Sequence, residues 1–171
     1  NGRWESTVFN SRLQPTQIAL GTTAGTTDKL KLDFSYGTAA NNGNLLSQTI
    51  TVPTVGASTG FSAVQNYTYD SLNRIKDATE LITPNGGSQT QSWKQTYTFD
   101  RYGNRSFDEA NTTFAGFEKL CSNGTELCAE LRKIMNPSVN TSDNRLSPSD
   151  GYVFDPSGNT VRDPQSRRFT Y

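Results

Sequence analysis

Three times the chain writes aromatic-x-aromatic-Asp: YTYD at 67–70, YTFD at 97–100 and YVFD at 152–155. In a strand, alternate side chains share a face, so Tyr67 and Tyr69 point one way while Thr68 points the other. Tyr97 with Phe99 and Tyr152 with Phe154 repeat that pattern. Each run ends in an aspartate followed three positions later by a residue tolerant of positive φ: Asn73 after Asp70, Gly103 after Asp100, Gly158 after Asp155. An Asp side chain accepts the amide hydrogens of the residues after it, so this spacing predicts a tight turn. Beyond each turn the chain again reads as a strand (RIKDATEL, NRSFDEAN, NTVRDP). The unit is a β-hairpin, marginal alone in water, and repetition supplies neighbours to pair with.

Relaxing the pattern adds further copies. STVFNSRLQPTQI puts Phe9-Asn10 where aromatic-Asp stood, with Leu13 in place of the turn glycine. LDFSYGTAANNGNLLSQTI has Phe34 and Tyr36 alternating and Asn42-Gly43 as its turn, and RRFTY ends on Phe169 and Tyr171. Composition agrees: only 32% of residues are hydrophobic, but nine Phe, seven Tyr and two Trp supply large side chains suited to strands. As strand residues, Trp4 and Trp93 are expected in the core. The segments LGTTAGTT, TVPTVGASTG and TPNGGSQT read as loops between hairpins, too short for linkers, so a single repeat domain is expected over 1–171. One stretch breaks the β pattern. TELCAELRKIM, 125–135, places Leu127, Leu131 and Ile134 on one helical face, with Asn123 as cap and Glu126 three residues on.

Chemistry is restricted by what is missing. The chain has no histidine, which removes Ser-His-Asp triads, Cys-His dyads and His-ligated zinc. No nucleophile motif, metal cluster or phosphate loop stands out, so no catalytic residue, cofactor site or metal site is expected. Asp70, Asp100 and Asp155 are read as turn caps. Asp108-Glu109, and Asp28 near Asp33, lack the spacing of a calcium loop and read as solvated turn carboxylates. Sixteen basic residues balance sixteen acidic ones, against a nucleic-acid partner. No apolar run is long enough to span a membrane as a helix. Cys121 and Cys128 are expected to form a local disulfide, and the polar, Asn-rich chain reads as secreted or cell-surface. Sequons at Asn66, Asn104, Asn111, Asn123 and Asn140 are candidate glycosylation sites on such a protein.

The pattern Tyr-Asp-x-x-Gly-Arg, with an aromatic two positions back, resembles the YD repeat of bacterial RHS proteins and animal teneurins. YTYDSLNRI matches it with Asn73 for Gly and Arg74 at the Arg position; FDRYGNR and FDPSGNT match with Asn104 and Asn159 there. Five or six degenerate units cover the chain. The resemblance implies hairpins coiled into a spiralling sheet or shell, which in RHS toxins encloses an effector. Within these 171 residues neither that family's self-cleaving segment nor a toxin is matched. The implied role is structural: the wall of a secreted shell, tube or self-assembling fibre. Two alternatives remain, a glycan-binding adhesive module and a fragment of a toxin-enclosing cocoon. RRFTY and NGRWES, joined with two residues inserted, read as one more repeat, so the expected partners are further copies or adjoining repeats, with 168–171 leading into a strand like 1–7; glycans are the other expected partner.

Overall fold

The structure, a computed structural model, describes residues 2–114 and 126–171; of residues 114 and 126–128 it describes the backbone alone. The chain is mostly β with one short helix. It divides into two compact units, 1–96 and 97–171, with the boundary inside one strand.

The first unit is an antiparallel meander of β1 (Trp4–Phe9), β2 (Pro15–Gly21), β3 (Leu30–Ser35), β4 (Ser47–Val52), β5 (Phe61–Tyr69), β6 (Ile75–Pro84) and the first part of β7 (Thr90–Phe99). Each strand pairs with the next in sequence. Hairpin connections permit this, because antiparallel neighbours need only a short turn between them. Register then sorts the side chains, since directly opposed residues share a face. One row runs Thr7, Ile18, Leu32, Ile50, Ala63, Ile82 across the sheet. The next row on that face carries Leu20 opposite Leu30, then Val52, Phe61 and Pro84. On the other side of the first row come Phe34, Gln48, Gln65, Glu80 and Trp93. The opposite face is polar, with rows Ser6, Ala19, Lys31, Thr51, Ser62, Thr83 and Val8, Gln17, Asp33, Thr49, Val64, Leu81. There Gln17 Nε2 donates to Asp33 Oδ1 at 3.0 Å and Lys31 Nζ lies 2.9 Å from Asp33 Oδ2.

This unit is amphipathic but one layer thick. Its main element contacts run between sequential strands. A sheet ordinarily covers its apolar face with a second layer. Accordingly, among the described residues the only buried hydrophobic side chains are Ala19, Ala63 and Ala78, each small enough to be covered by taller neighbours in its own sheet. Ile18, Leu32, Ile50 and Ile82 are half-buried. The expectation of an aromatic core is corrected here. Tyr67, Tyr69 and Trp93 are half-buried, and Trp4 is 56% exposed. Trp4 lies on β1, which among the described residues pairs with β2 alone, and its side chain is left uncovered.

The second unit begins with the last residues of β7, pairing with β8 (Arg105–Phe107) through Tyr97–Phe107 and Phe99–Arg105. The short strand β9 (Thr113–Phe114) also pairs with β7, and two short hairpins follow, β10 (Val139–Asn140) with β11 (Arg145–Leu146), and β12 (Val153–Phe154) with β13 (Thr160–Arg162). The helix α1 spans Glu126–Met135, close to the expected 125–135. Leu131 is half-buried but Ile134, placed by periodicity on the same apolar face, is exposed. Among the described residues α1 is held at its C-terminal end. Arg132 Nε pairs with Glu109 Oε2 at 2.7 Å, and Asn136 Oδ1 accepts the Phe107 N–H at 2.7 Å while its Nδ2 donates to the Phe107 carbonyl at 3.2 Å. The amide of Asn136 thus bonds the β8 backbone as another strand would. The expected Cys121–Cys128 disulfide and the Asn123 cap and sequon lie outside the described residues.

Candidate functional site

The residues singled out by the repeat form one turn, built five times. In the β5–β6 turn the Asp70 N–H donates to the Arg74 carbonyl at 2.9 Å, and the Asn73 N–H donates to the Asp70 carbonyl at 3.0 Å. Asp70 Oδ1 accepts from the amides of Leu72 and Arg74, both at 2.9 Å, while Oδ2 takes Arg74 Nε at 2.7 Å. Asn73 has φ of 60°. The Asp100 turn repeats every element. Oδ1 accepts from Tyr102 and Asn104 amides at 2.8 and 2.9 Å, Oδ2 takes Asn104 Nδ2 at 2.7 Å, and Gly103 has φ of 89°. At Asp155, Asn159 supplies both its N–H and its Nδ2, at 2.8 and 2.9 Å, and Gly158 has φ of 92°. The fourth position after the Asp therefore needs a side-chain donor, which Arg and Asn both provide.

Two further turns share the geometry. At Asn10, Oδ1 accepts from the amides of Arg12 and Gln14 at 2.9 and 3.1 Å, Nδ2 donates to Gln14 Oε1 at 2.9 Å, and Leu13 takes φ of 60° where glycine is usual. At Asp163, Oδ1 accepts the Arg167 N–H at 2.9 Å, Oδ2 takes Arg167 Nε at 2.6 Å, and Ser166 has φ of 62°. Sequence reasoning missed this last turn by taking NTVRDP only as a return strand. The signal was there in Asp163 and Arg167, spaced as Asp70 and Arg74 are.

Each of these carboxylates is committed to fixed donors, and its acidity shows it. The Arg74 N–H, foremost, holds Asp70 below the ordinary carboxylate value, with the Arg74 guanidinium adding to it. The side-chain amides of Asn104 and Asn159 lead in lowering Asp100 and Asp155. Burial pushes Asp163 up, but the Arg167 side chain and N–H outweigh it and the group ends lowered. In the β2–β3 loop the Thr22 N–H, then the Thr26 and Thr22 hydroxyls, hold Asp28 far down. Carboxylates ionised and saturated with donors serve as acceptors, and none is poised to exchange a proton near neutrality. Asp33 is likewise engaged by Gln17 and Lys31, and Glu109 by Arg132. Among the described residues no group of three or more potential metal ligands converges.

The aromatic residues before each Asp have their own partners. Tyr67 and Tyr69 hydroxyls are raised by burial and donate to Gln65 Oε1 at 2.6 Å and to the Leu45 carbonyl at 2.7 Å. Tyr97 packs its ring 5.2 Å from that of Phe107, and Arg105 lies over both. Tyr152 and Phe154 are half-buried, with Arg145 over the Phe154 ring.

Neighbouring turns are joined by amides. In the first unit Asn42 and Asn44 Nδ2 both donate to Asn73 Oδ1 at 3.0 Å, and Gln14 and Asn41 exchange side-chain bonds at 3.2 and 2.6 Å. In the second unit Asn104 Nδ2 donates to Asn144 Oδ1 at 2.5 Å, and Asn144 has φ of 57°. Asparagine thus does two things where glycine does one, adopting the left-handed conformation and bonding to the next turn. Of the sequon residues, Asn66 is exposed on the polar face of β5, Asn104 is engaged as above, Asn111 Nδ2 donates to Asp108, and Asn140 accepts from Ser142. An open cleft of about 650 Å³ lies beside the first turn, lined by Asn10, Arg12, Gly37, Thr38, Asn41 and Asn42 among others. No protein-family model, no curated protein and no solved structure matches this chain.

Proposed function

We propose that this chain is a structural scaffold: a β-hairpin wall of the kind its resemblance to YD repeats implies, serving in a secreted or cell-surface shell, tube or fibre. The observation that carries the reading is the five-fold repetition of one hydrogen-bonded turn, from Asn10 to Arg167, across both units. The single-layer sheet of the first unit supports it, because a wall needs one face for water and one for whatever it covers or encloses. Every aspartate in those turns is engaged in holding backbone, which suits a structural role. Electron microscopy of the purified chain tests the proposal. Curved walls, tubes or closed shells many copies across are expected, while particles no larger than a pair of copies overturn it.

A further inference from the structure

The dipeptide Asn-Gly occurs four times, at 1–2, 42–43, 85–86 and 123–124, and the asparagines at 1 and 123 lie outside the described residues. Asparagine is thermally labile, most of all before glycine, which has no Cβ to keep the following backbone nitrogen away from the side-chain carbonyl. Asn42 and Asn85 are both exposed, so access of solvent does not distinguish them. Their hydrogen bonds do. Asn42 Oδ1 accepts the Asn44 N–H at 3.0 Å and its Nδ2 donates to Asn73 Oδ1 at 3.0 Å, while the Gly43 N–H donates to Asn41 Oδ1 at 2.9 Å. Asn85 makes one side-chain bond, from Nδ2 to Thr54 Oγ1 at 2.8 Å. Among the described residues the Gly86 N–H has no hydrogen-bond partner, and a Cβ placed on Gly86 would meet nothing within 4 Å.

From this contrast we propose that Asn85 is a site of spontaneous deamidation, and that the hydrogen bonds between turns shield Asn42 from the same reaction. Hydroxide from solvent takes the Gly86 amide proton, and that nitrogen bonds to Asn85 Cγ. The Cγ–Nδ2 bond then breaks, and Nδ2 leaves as ammonia with a hydrogen taken from water, which regenerates the hydroxide. The cyclic imide adds one water and opens, giving aspartate at position 85 or its isomer isoaspartate, in which the main chain runs through Cγ. Nothing is oxidised or reduced; one amide is hydrolysed and one negative charge gained. At Asn42 ring closure must break two more hydrogen bonds than at Asn85, one of them holding the very proton that has to leave. Two such bonds, each of modest net strength, slow the step roughly ten-fold. Either product lacks the Nδ2 donor that ties this turn to Thr54, whose hydroxyl also accepts the Gly60 N–H at 3.0 Å. Conversion therefore adds a charge and removes a bond between two loops. This goes beyond the scaffold reading and does not depend on it.

Incubation of the 171-residue chain at physiological temperature and mildly alkaline pH, folded and in urea, tests the proposal, with peptide mapping by mass spectrometry following both asparagines. In the folded chain Asn85 is expected to convert roughly ten-fold faster than Asn42, and in urea the two rates should converge. Asn41→Ala with Asn73→Gly removes the acceptors of the Gly43 N–H and of Asn42 Nδ2, and is expected to raise the Asn42 rate toward that of Asn85. Far-UV circular dichroism confirms that this variant keeps its sheet. Comparable rates at the two sites in the folded chain, faster conversion at Asn42, a preference for Asn85 that persists in urea, or an unchanged Asn42 rate in the folded variant overturns the inference.

Discussion

Leu13 and Asn73 hold the same turn position at the same φ of 60°, yet replacement by glycine should move stability in opposite directions. The left-handed conformation costs an L-residue about 1–2 kcal/mol, which glycine removes at Leu13. Glycine's extra freedom in the unfolded chain takes back about 0.5–1 kcal/mol. Leu13 is 82% exposed, so with a fully buried Leu worth about 1.5–3 kcal/mol, its remaining burial contributes only about 0.3–0.5 kcal/mol. At the midpoints of these ranges the balance makes Leu13→Gly stabilising, by about 0.3–0.4 kcal/mol. Asn73 starts from less strain, because Asn visits this region more readily, and it accepts hydrogen bonds from both Asn42 and Asn44. At the low end for exposed bonds, about 0.5 kcal/mol each, their loss and the glycine entropy together cost about 1.5–2 kcal/mol, which exceeds the smaller strain relieved and makes Asn73→Gly destabilising. Urea unfolding followed by tryptophan fluorescence measures both changes, since Trp4 and Trp93 lie in the same unit as the two turns. Shifts of the same sign for both variants refute the argument that position four of this turn is chosen for conformation at one site and for bonding at the other.

Gly60→Ala should cost about 2 kcal/mol or more in the same assay, because its Cβ would sit 2.6 Å from the Pro53 carbonyl carbon and the Thr54 nitrogen, neither able to move aside. Stability should fall on acidification below about pH 4: the turn aspartates have folded-state values beneath their unfolded ones, so their contribution is complete above the unfolded value and is lost as pH drops through the folded one. Asp100→Asn should keep the turn at pH 7, as Asn10 shows an amide can, and should flatten the acid limb of a pH titration of unfolding. Ile50→Ala should cost only about 1–2 kcal/mol in the dispersed chain, below the ~2–5 kcal/mol of a fully buried Ile, because Ile50 is half-buried; urea midpoints measured below and above the association threshold check it.

What could be read from the sequence is what is written locally. Asp70, Asp100 and Asp155 with Asn73, Gly103 and Gly158 specify their turns within five residues, so a spacing rule finds them. The loops expected at 20–27, 51–60 and 83–90 were legible for the same reason: each holds a connection between strands, although residues 20–21, 51–52, 83–84 and 90 belong to the strands themselves. The Asp163 turn escaped because it lacks the aromatic pair and puts Ser166 where glycine or asparagine was sought. Trp4 escaped for a different reason. Its alternation with Ser6 and Val8 is a good strand signal, but how far a strand residue is covered depends on which strands lie beside it. The amide bonds from Asn42 and Asn44 to Asn73 reach about thirty residues along the chain and follow from register, which no short motif encodes.

These two kinds of information divide the molecule's physics as well. A turn with four or five internal hydrogen bonds fixes one hairpin and its register; it joins β1 to β2 and β5 to β6, while other loops carry the remaining connections of a first unit in which each strand pairs with the next in sequence. Such contacts are local, so they cost little chain entropy to form. They settle the order of strands without settling what lies on top of them. Ile18, Leu32, Ile50 and Ile82 are gathered into one row by the register of their strands and then left half-covered. A sheet so assembled has its topology complete and its burial incomplete. Only a surface laid against the apolar face can finish covering that row, because pairing strand to strand extends a sheet without adding a second layer.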